Sequence, residues 1–168
     1  MNRRMIGRTV GKITLLEAVL LVLPMLVCAI YREWLQLFAF FAAAAAAAVI
    51  GVLLTVISKP RTTEIFVREG FITVALAWIV LSLIGALPFF ISREIPSYID
   101  ALFETVSGFT TTGASVVTDV EAMSHGILFW RSFTHWIGGM GVLVLMMAIV
   151  PTESGSSIHV MRAEMPGP

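Results

Sequence analysis

The chain has 168 residues, of which 58% are hydrophobic and only 13% are charged. So few charges leave too little polar surface to cover a soluble globule of this length, and the composition predicts an integral membrane protein. The eleven basic and eleven acidic residues cancel, so the basic surplus that is typical of nucleic-acid binding is missing.

Two long apolar stretches come first in the chain. One runs from about Ile13 to Tyr31 with Pro24 in its middle, and the other runs from Trp34 to Ile57. Each stretch is long enough to cross the hydrocarbon core as a helix. Basic residues before the first stretch resemble a secretory signal, but no small-residue cleavage site follows, so we expect a retained helix. The two helices should form a tight hairpin.

Two further membrane crossings are predicted after a polar stretch at residues 58–69. They run from Phe71 to Ser92 and from about Ile127 to Val150. The sequence therefore predicts an all-α membrane protein with two N-terminal helices followed by one helix–re-entrant loop–helix unit. The predicted divisions are the hairpin with its linker (1–69), the helix–loop–helix unit (70–151) and a cytoplasmic trailing segment (152–168).

The distribution of lysine and arginine predicts the topology. Basic residues cluster before the first span, between the second and third spans, and after the fourth, whereas the alternate loops hold few. Because basic residues near span ends favour the cytoplasmic side, both termini should be cytoplasmic. Residues 93–126 should then enter the membrane from outside.

A short helical segment lies between the third and fourth spans. The twelve residues from Ser97 to Gly108 would cover about 18 Å as a helix, against a hydrocarbon core of about 30 Å. Ser97 and Asp100 match the Ser-x-x-Asp capping pattern of a helix start. We expect a half-helix that packs through one apolar stripe, formed by Ile99, Leu102, Phe103 and Val106.

The loop after the half-helix is rich in small and β-branched residues around Gly113, which suits an extended backbone. Carbonyl groups without partners are tolerated at membrane depth only when they are buried in protein or line a wet cavity, and a bound cation satisfies them. The partially negative C-terminal end of the half-helix points to the same place. A cation-selective re-entrant loop is therefore predicted, the alternative being that Gly113 merely turns the chain.

The last predicted span carries Arg131 and His135, one helical turn apart. Ionisable residues inside a membrane are normally paired, so we expect Arg131 to pair with Glu104 and the pair to brace the loop. The alternative is that Arg131 reaches the outer surface. For His135 we favour a bond to a neighbouring helix over proton coupling. Three glycines give this span a small face for close packing or a bend: Gly138, Gly139 and Gly141.

The sequence of residues 101–115, with Phe129-Trp130-Arg131 and the glycine-rich run after His135, resembles the first pore repeat of TrkH-type proteins in the Trk/Ktr/HKT superfamily. The resemblance implies a potassium-uptake protein of the bacterial inner membrane, with four such repeats in one chain. It also implies that potassium binds backbone carbonyls of Thr110, Thr111, Thr112, Gly113, Ala114 and Ser115, chiefly Thr111, Thr112 and Gly113.

The resemblance further implies a homodimer, a cytoplasmic nucleotide-binding subunit of the TrkA type, and no cofactor besides the transported K⁺. One repeat cannot encircle an ion, so we expect the chain to be part of a longer protein with three more repeats. The alternatives are a homotetrameric channel of single units or a non-conducting subunit that binds a partner. Enzymatic activity is not expected, because the sequence has none of the spacings of common hydrolytic or phosphate-binding motifs.

Overall fold

The computed structural model describes residues 3–58 and 67–149 of the chain. Within these two ranges all regular secondary structure is helical, which confirms the predicted all-α class. The helices are α1 (Arg3–Leu20), α2 (Val22–Tyr31), α3 (Trp34–Ile57), α4 (Val67–Gly85), α5 (Leu87–Ile91), α6 (Tyr98–Phe109) and α7 (His125–Ile149).

Three stretches of the described residues are long and apolar enough to cross a membrane: Arg3–Tyr31, Trp34–Ile57 and Glu69–Ile91. The 25 residues of α7 correspond to the fourth predicted crossing, because a helix needs about 20 residues to span the hydrocarbon core. The predicted trailing segment 152–168 lies outside the described residues. The predicted sidedness of the termini remains a prediction.

The first span is a kinked helix rather than a straight one. It begins at Arg3, earlier than its apolar residues indicate, and is interrupted at Leu21. Pro24 has no N–H group to donate to the carbonyl one turn earlier, which opens the helix at this point. The carbonyl of Leu21 still accepts a bond from the N–H of Met25 at 3.4 Å, so the helix continues beyond the kink. A similar break separates α4 from α5, just before Pro88.

Helices α1 and α3 pack closely because small residues line their contact. A Cβ atom added to Gly11 would lie 2.9 Å from the carbonyl oxygen of Gly51, and the reverse distance is the same. Ala43 and Ala47 of the alanine-rich α3 are fully buried. Such small residues allow backbones to approach in the absence of a hydrophobic driving force between helices in lipid.

A shared core joins this hairpin to the helices that flank the loop. The ring of Phe40 in α3 meets the ring of Trp130 in α7 edge-on, with 6.2 Å between centroids. The indole N–H of Trp130, which is fully buried, donates to the carbonyl of Gly85 in α4 at 2.9 Å. A buried tryptophan with its N–H paired contributes both apolar area and a satisfied polar group. Helices α3, α4 and α7 are therefore fixed relative to one another.

The turn of the hairpin also reaches the first residues of α7. The carboxylate of Glu33 accepts bonds from the N–H groups of His125 at 2.8 Å and Gly126 at 2.9 Å, and the His125 ring stacks on Tyr31. Burial raises the pKa of Glu33, but the hydrogen bonds from Gly126 and His125 outweigh this effect and hold the pKa below its ordinary value. A residue of the hairpin thus caps the helix that follows the loop.

Helix α6 is the predicted half-helix, and the hydroxyl of its N-cap Ser97 accepts a bond from the N–H of Asp100. Of its predicted apolar stripe, Leu102 packs against the core, whereas Ile99 is 77% exposed and Phe103 is 47% exposed within this chain. The face that packs within the chain carries small and polar residues, namely Ala101, Glu104, Thr105, Ser107 and Gly108. The polar groups of this face find partners inside the chain, and Ile99, Phe103 and Val106 are left on its surface.

Candidate ion-binding loop

The loop after α6 reverses direction at once. The N–H of Thr111 donates to the carbonyl of Gly108 at 2.9 Å, and the N–H of Thr112 donates to the carbonyl of Ser107 at 3.0 Å. Thr111 has φ +56° and Gly113 has φ +76°. The left-handed region suits glycine, whereas a β-branched residue there is strained and needs support from its surroundings. Local bonds hold the loop in this conformation.

Ser107 fastens the loop at two points. Its carbonyl accepts the bond from Thr112 described above, and its hydroxyl donates to the carbonyl of Ala114 at 2.6 Å. The side chain of Ser107 is buried in α6. One residue of the half-helix therefore holds the segment from Thr112 to Ala114 from both sides.

Some carbonyl oxygens of the loop accept hydrogen bonds within the chain, and others do not. The Thr110 carbonyl accepts a bond from the hydroxyl of Thr111 at 2.7 Å, and that of Ala114 is held by Ser107. In the described part of the chain, no hydrogen bond reaches the carbonyl oxygens of Thr111, Thr112 or Gly113. Consecutive unpaired carbonyls at membrane depth require water or a cation as a partner.

Glu104 connects three parts of the site. Its carboxylate accepts a bond from Nε of Arg131 at 2.5 Å, from the hydroxyl of Ser115 at 3.0 Å and from the N–H of Val116 at 3.1 Å. The side chain of Glu104 is 1% exposed, and that of Arg131 is 18% exposed. The predicted contact between Glu104 and Arg131 is therefore present, and it ties α6 to α7 and to the chain that leaves the loop.

Two of the three glycines that were predicted to give the last span a small face allow close packing. A Cβ atom on Gly138 would lie 2.9 Å from Cα of Phe109, and one on Gly141 would lie 2.8 Å from the ring of Trp78. Such contacts are shorter than side chains tolerate. By contrast, the nearest atom to a Cβ on Gly139 belongs to Thr111, at 4.0 Å. Gly138 thus sets the distance between α7 and the end of α6, whereas Gly139 leaves room beside the loop.

The bonds of His135 differ from our expectation. Its Nδ1 atom lies 2.9 Å from the carbonyl oxygen of Arg131, one turn earlier in the same helix. The expected partner on a neighbouring helix is therefore replaced by a bond within α7. The structure also gives Ser107 and Ser115 roles that the sequence did not indicate, since their hydroxyls position the loop. The only signal in the sequence was the position of Ser107 on the polar face of the half-helix.

Apolar spans, a half-helix and a loop of unpaired carbonyls between two helices are the features of a membrane cation transport protein. The chain belongs to the TrkH family, described as cation transport proteins, whose family model matches residues 36–168. The resemblance drawn from the loop motifs is thereby confirmed.

The similarity extends over the whole chain. The chain is 42% identical to the Trk system potassium uptake protein TrkH of Salmonella typhimurium and 41% identical to that of Escherichia coli. Each alignment covers 100% of this chain and 35% of the relative. The crystal structure of the potassium transporter TrkH from Vibrio parahaemolyticus matches with a TM-score of 0.83 and 37% identity, covering 90% of this chain and 32% of that one. The chain spans about a third of the length of these relatives.

Proposed function

We propose that this chain provides one of four filter loops of a Trk-type potassium transporter, and that potassium binds the carbonyl oxygens of Thr111, Thr112 and Gly113. The observation that carries the proposal is the set of three consecutive carbonyls without hydrogen bonds, directly after a half-helix. The C-terminal end of that helix adds partial negative charge on the same side. Together these features favour a bare monovalent cation.

The ion pair between Glu104 and Arg131 has two effects on the loop: it holds the loop in place, and it limits the positive charge near a bound cation. A guanidinium group near the filter would repel potassium by itself, because charges interact strongly where water is excluded. The carboxylate of Glu104 offsets the charge of Arg131 and at the same time holds Ser115 and Val116. Loop carbonyls that are fixed in place replace the hydration shell of the ion without a large rearrangement.

One loop surrounds only part of an ion, so conduction needs a ring of such loops. In the proposed assembly the other three loops come from further repeats of a longer chain, as supported by the coverage of only 35% of the relatives. Those relatives are named as potassium uptake proteins, which supports potassium as the ion. The resemblance supports a bacterial inner-membrane location, a homodimer and a cytoplasmic nucleotide-binding subunit of the TrkA type. The distribution of lysine and arginine supports cytoplasmic termini.

A chimera tests this proposal. This chain replaces the matching N-terminal third of Escherichia coli TrkH, and the hybrid is expressed in a bacterium that lacks its own potassium uptake. We expect growth at low potassium and uptake of rubidium. Gly113→Ala should lower rubidium uptake at least about tenfold, because the positive φ of Gly113 is unfavourable for alanine and the loop would shift.

Gly70→Ala is the matched control, since an added Cβ atom meets nothing within 4 Å at either glycine and only Gly113 has a positive φ. Normal rubidium uptake by the Gly113→Ala chimera would contradict the assignment of the loop. The 168-residue chain alone should give no potassium flux in proteoliposomes. Flux from the chain alone would instead support the homotetrameric channel.

A further inference from the structure

The first turns of α1 extend beyond the apolar part of its span. The helical span Arg3–Tyr31 has 29 residues, which give about 43 Å of helix, whereas the hydrocarbon core is about 30 Å thick and the bilayer with its headgroups about 40–45 Å. The apolar residues 13–31 account for about 28 Å and fill the core by themselves. Residues 3–12 therefore lie at the depth of the lipid headgroups and just outside them.

Three basic residues of this extension share one face of the helix. Arg4, Arg8 and Lys12 follow one another at intervals of four residues, so they fall within about 80° around the helix axis. Arg4 and Lys12 are exposed, and Arg8 is half-buried. Like charges at this spacing repel one another. This basic stripe of Arg4, Arg8 and Lys12 therefore needs a counter-charge.

The described part of the chain supplies no acidic partner for the basic stripe. No ion pair among the described residues includes one of its members. Glu17, the only acidic residue of α1, follows Arg8 by nine residues and lies on the opposite side of the helix. Residues 59–66 are outside the described ranges, and by sequence they carry two basic residues and one acidic residue. Their sequence thus adds positive charge on balance.

The C-terminal end of α3 offsets only a fraction of this charge. It lies beside the first turns of α1, since a Cβ atom added to Gly7 would be 2.5 Å from the hydroxyl oxygen of Ser58. The C-terminal end of a helix carries about half an elementary negative charge, against three positive charges in the basic stripe. The Nε atom of Arg8 is buried and has no hydrogen-bond partner among the described residues. The remaining counter-charge has to come from another molecule or another segment.

The face that carries the basic stripe becomes apolar where the hydrocarbon core begins. Val19 follows Lys12 by seven residues, which places it on nearly the same side of the helix, and it is 65% exposed. A face that is basic at headgroup depth and apolar two turns deeper matches a phospholipid, whose phosphate lies above its acyl chains. An acidic soluble partner would match the charges but not the apolar continuation.

We propose that Arg4, Arg8 and Lys12 bind the phosphate group of an anionic phospholipid, whose acyl chains follow the exposed apolar face of α1. The planar guanidinium group of arginine suits phosphate oxygens, and Lys12 adds a point charge at the edge of the core. A zwitterionic lipid fits less well, because its own ammonium group competes for the phosphate. Clusters of about 4–8 basic residues beside a membrane span are typical of anionic lipid recognition, and Arg3 brings this cluster to four. The inference concerns binding and does not depend on the proposed function.

The test is native mass spectrometry of the purified 168-residue chain in detergent micelles, because this method resolves each bound lipid. Phosphatidylglycerol is titrated in one series, and phosphatidylcholine with the same acyl chains in the other. We expect the first phosphatidylglycerol to bind at least about tenfold more tightly than the first phosphatidylcholine. Higher salt should lower this ratio of affinities, because salt screens exposed charges.

Two double variants separate the basic stripe from general charge effects. Arg8→Gln/Lys12→Gln should lower the ratio to about twofold or less, because both charges at headgroup depth are lost. Arg32→Gln/Arg93→Gln is the matched control, since it removes two positive charges from exposed residues at the other end of the spans. The control should keep the full ratio. Equal effects of the two double variants, or an unchanged ratio for Arg8→Gln/Lys12→Gln, would show that the basic stripe is not the site.

A charge-conserving variant guards against loss of folding. Arg8→Lys/Lys12→Arg keeps both positive charges and should retain most of the preference for phosphatidylglycerol, and thermal unfolding checks that each variant is folded. Millimolar inorganic phosphate is the second probe and should not displace the bound lipid. Displacement by phosphate would show a site for free anions and would contradict the lipid assignment.

A final arm repeats the titration on the chimera with Escherichia coli TrkH, in which the remaining two thirds of the relative are present. A preference for phosphatidylglycerol with the same dependence on Arg8 and Lys12 supports the site in a complete transporter. If the chain alone shows this dependence and the chimera does not, the rest of the transporter covers the basic stripe and the proposal fails. Because binding is measured without ion flux, this outcome is distinct from failure of the chimera to take up rubidium.

Discussion

Two carboxyl groups, those of Glu104 in α6 and Glu17 in α1, are buried in the chain, and their surroundings differ. Glu104 faces the loop and has partners on α7 and on the chain beyond the loop, whereas Glu17 lies beside an apolar cavity with no partner. Burial costs each group its hydration, but only Glu104 recovers hydrogen bonds and an opposite charge. Burial alone therefore says little about the role of an acidic residue.

The largest expected effect is that of removing Glu104. Glu104→Ala leaves the guanidinium of Arg131 buried without its partner, and the free energy of unfolding should fall by about 3–5 kcal/mol. Glu17→Gln should leave the free energy of unfolding unchanged or raise it, because no bond is lost. Denaturant unfolding in detergent micelles measures both. The double variant Glu104→Ala/Arg131→Met should recover part of the loss; a loss equal to the sum of the single variants would contradict pairing.

A second prediction concerns the packing of α7 against the C-terminal end of α6. Gly138→Ala brings a Cβ atom against the backbone of Phe109 and should lower the free energy of unfolding by about 1–3 kcal/mol. Gly139→Ala is the matched control, because its nearest atom is 4.0 Å away. Both positions lie in the interior of α7, where alanine is slightly more favourable than glycine. Equal effects of the two substitutions on unfolding would show that α7 does not press on α6 at this point.

A smaller effect is expected from Ser107→Ala. Loss of its bond to the carbonyl of Ala114 should lower the free energy of unfolding by about 1 kcal/mol. In the chimera the freed carbonyl should also reduce the preference for rubidium over sodium, measured as the ratio of uptake rates. Ser132→Ala removes an exposed hydroxyl bonded within α7 and serves as the control. An unchanged uptake ratio for Ser107→Ala would argue against a role in shaping the filter.

The smallest effect extends the comparison to Glu33, a paired carboxylate at the membrane surface. Its pKa is lowered in the folded state, so its stabilising contribution is complete above the ordinary value near 4.5 and is lost as the pH falls below it. Thermal unfolding followed from pH 7 to pH 3 should show a fall in Tm below about pH 4.5. Glu33→Gln should flatten that fall. An identical pH profile for the variant would exclude Glu33 as its source.

The sequence predicted the helices well where charges and prolines delimit apolar runs. Helix α3 has the predicted bounds of Trp34 and Ile57, and the half-helix begins at the predicted cap. The start of α1 was missed, because a helix continues through basic residues beyond the apolar run. The apolar stripe of α6 was identified, but only Leu102 of it packs against the core of this chain, since helical periodicity identifies a stripe and not the neighbour that covers it.

For the site, the pairing of Glu104 with Arg131 followed from the rarity of unpaired charge in membranes. The bonds from Ser107 to Ala114 and from Ser115 to Glu104 did not follow. They join residues seven and eleven positions apart, and the path of the loop between them decides whether such residues meet. The sequence likewise did not show which loop carbonyls are free to bind an ion. That depends on the hydrogen bonds which the carbonyls of Thr110 and Ala114 already accept.

The cap that Glu33 places on α7 has a consequence for any shortened form of this protein. The two residues joined by that cap are 92 positions apart in the chain. Removing the hairpin would deprive the first turn of α7 of this carboxylate acceptor and of its favourable charge at the helix start. The N-terminal pair of helices therefore contributes to the start of α7, and in a protein without it water or another acceptor would take the place of Glu33.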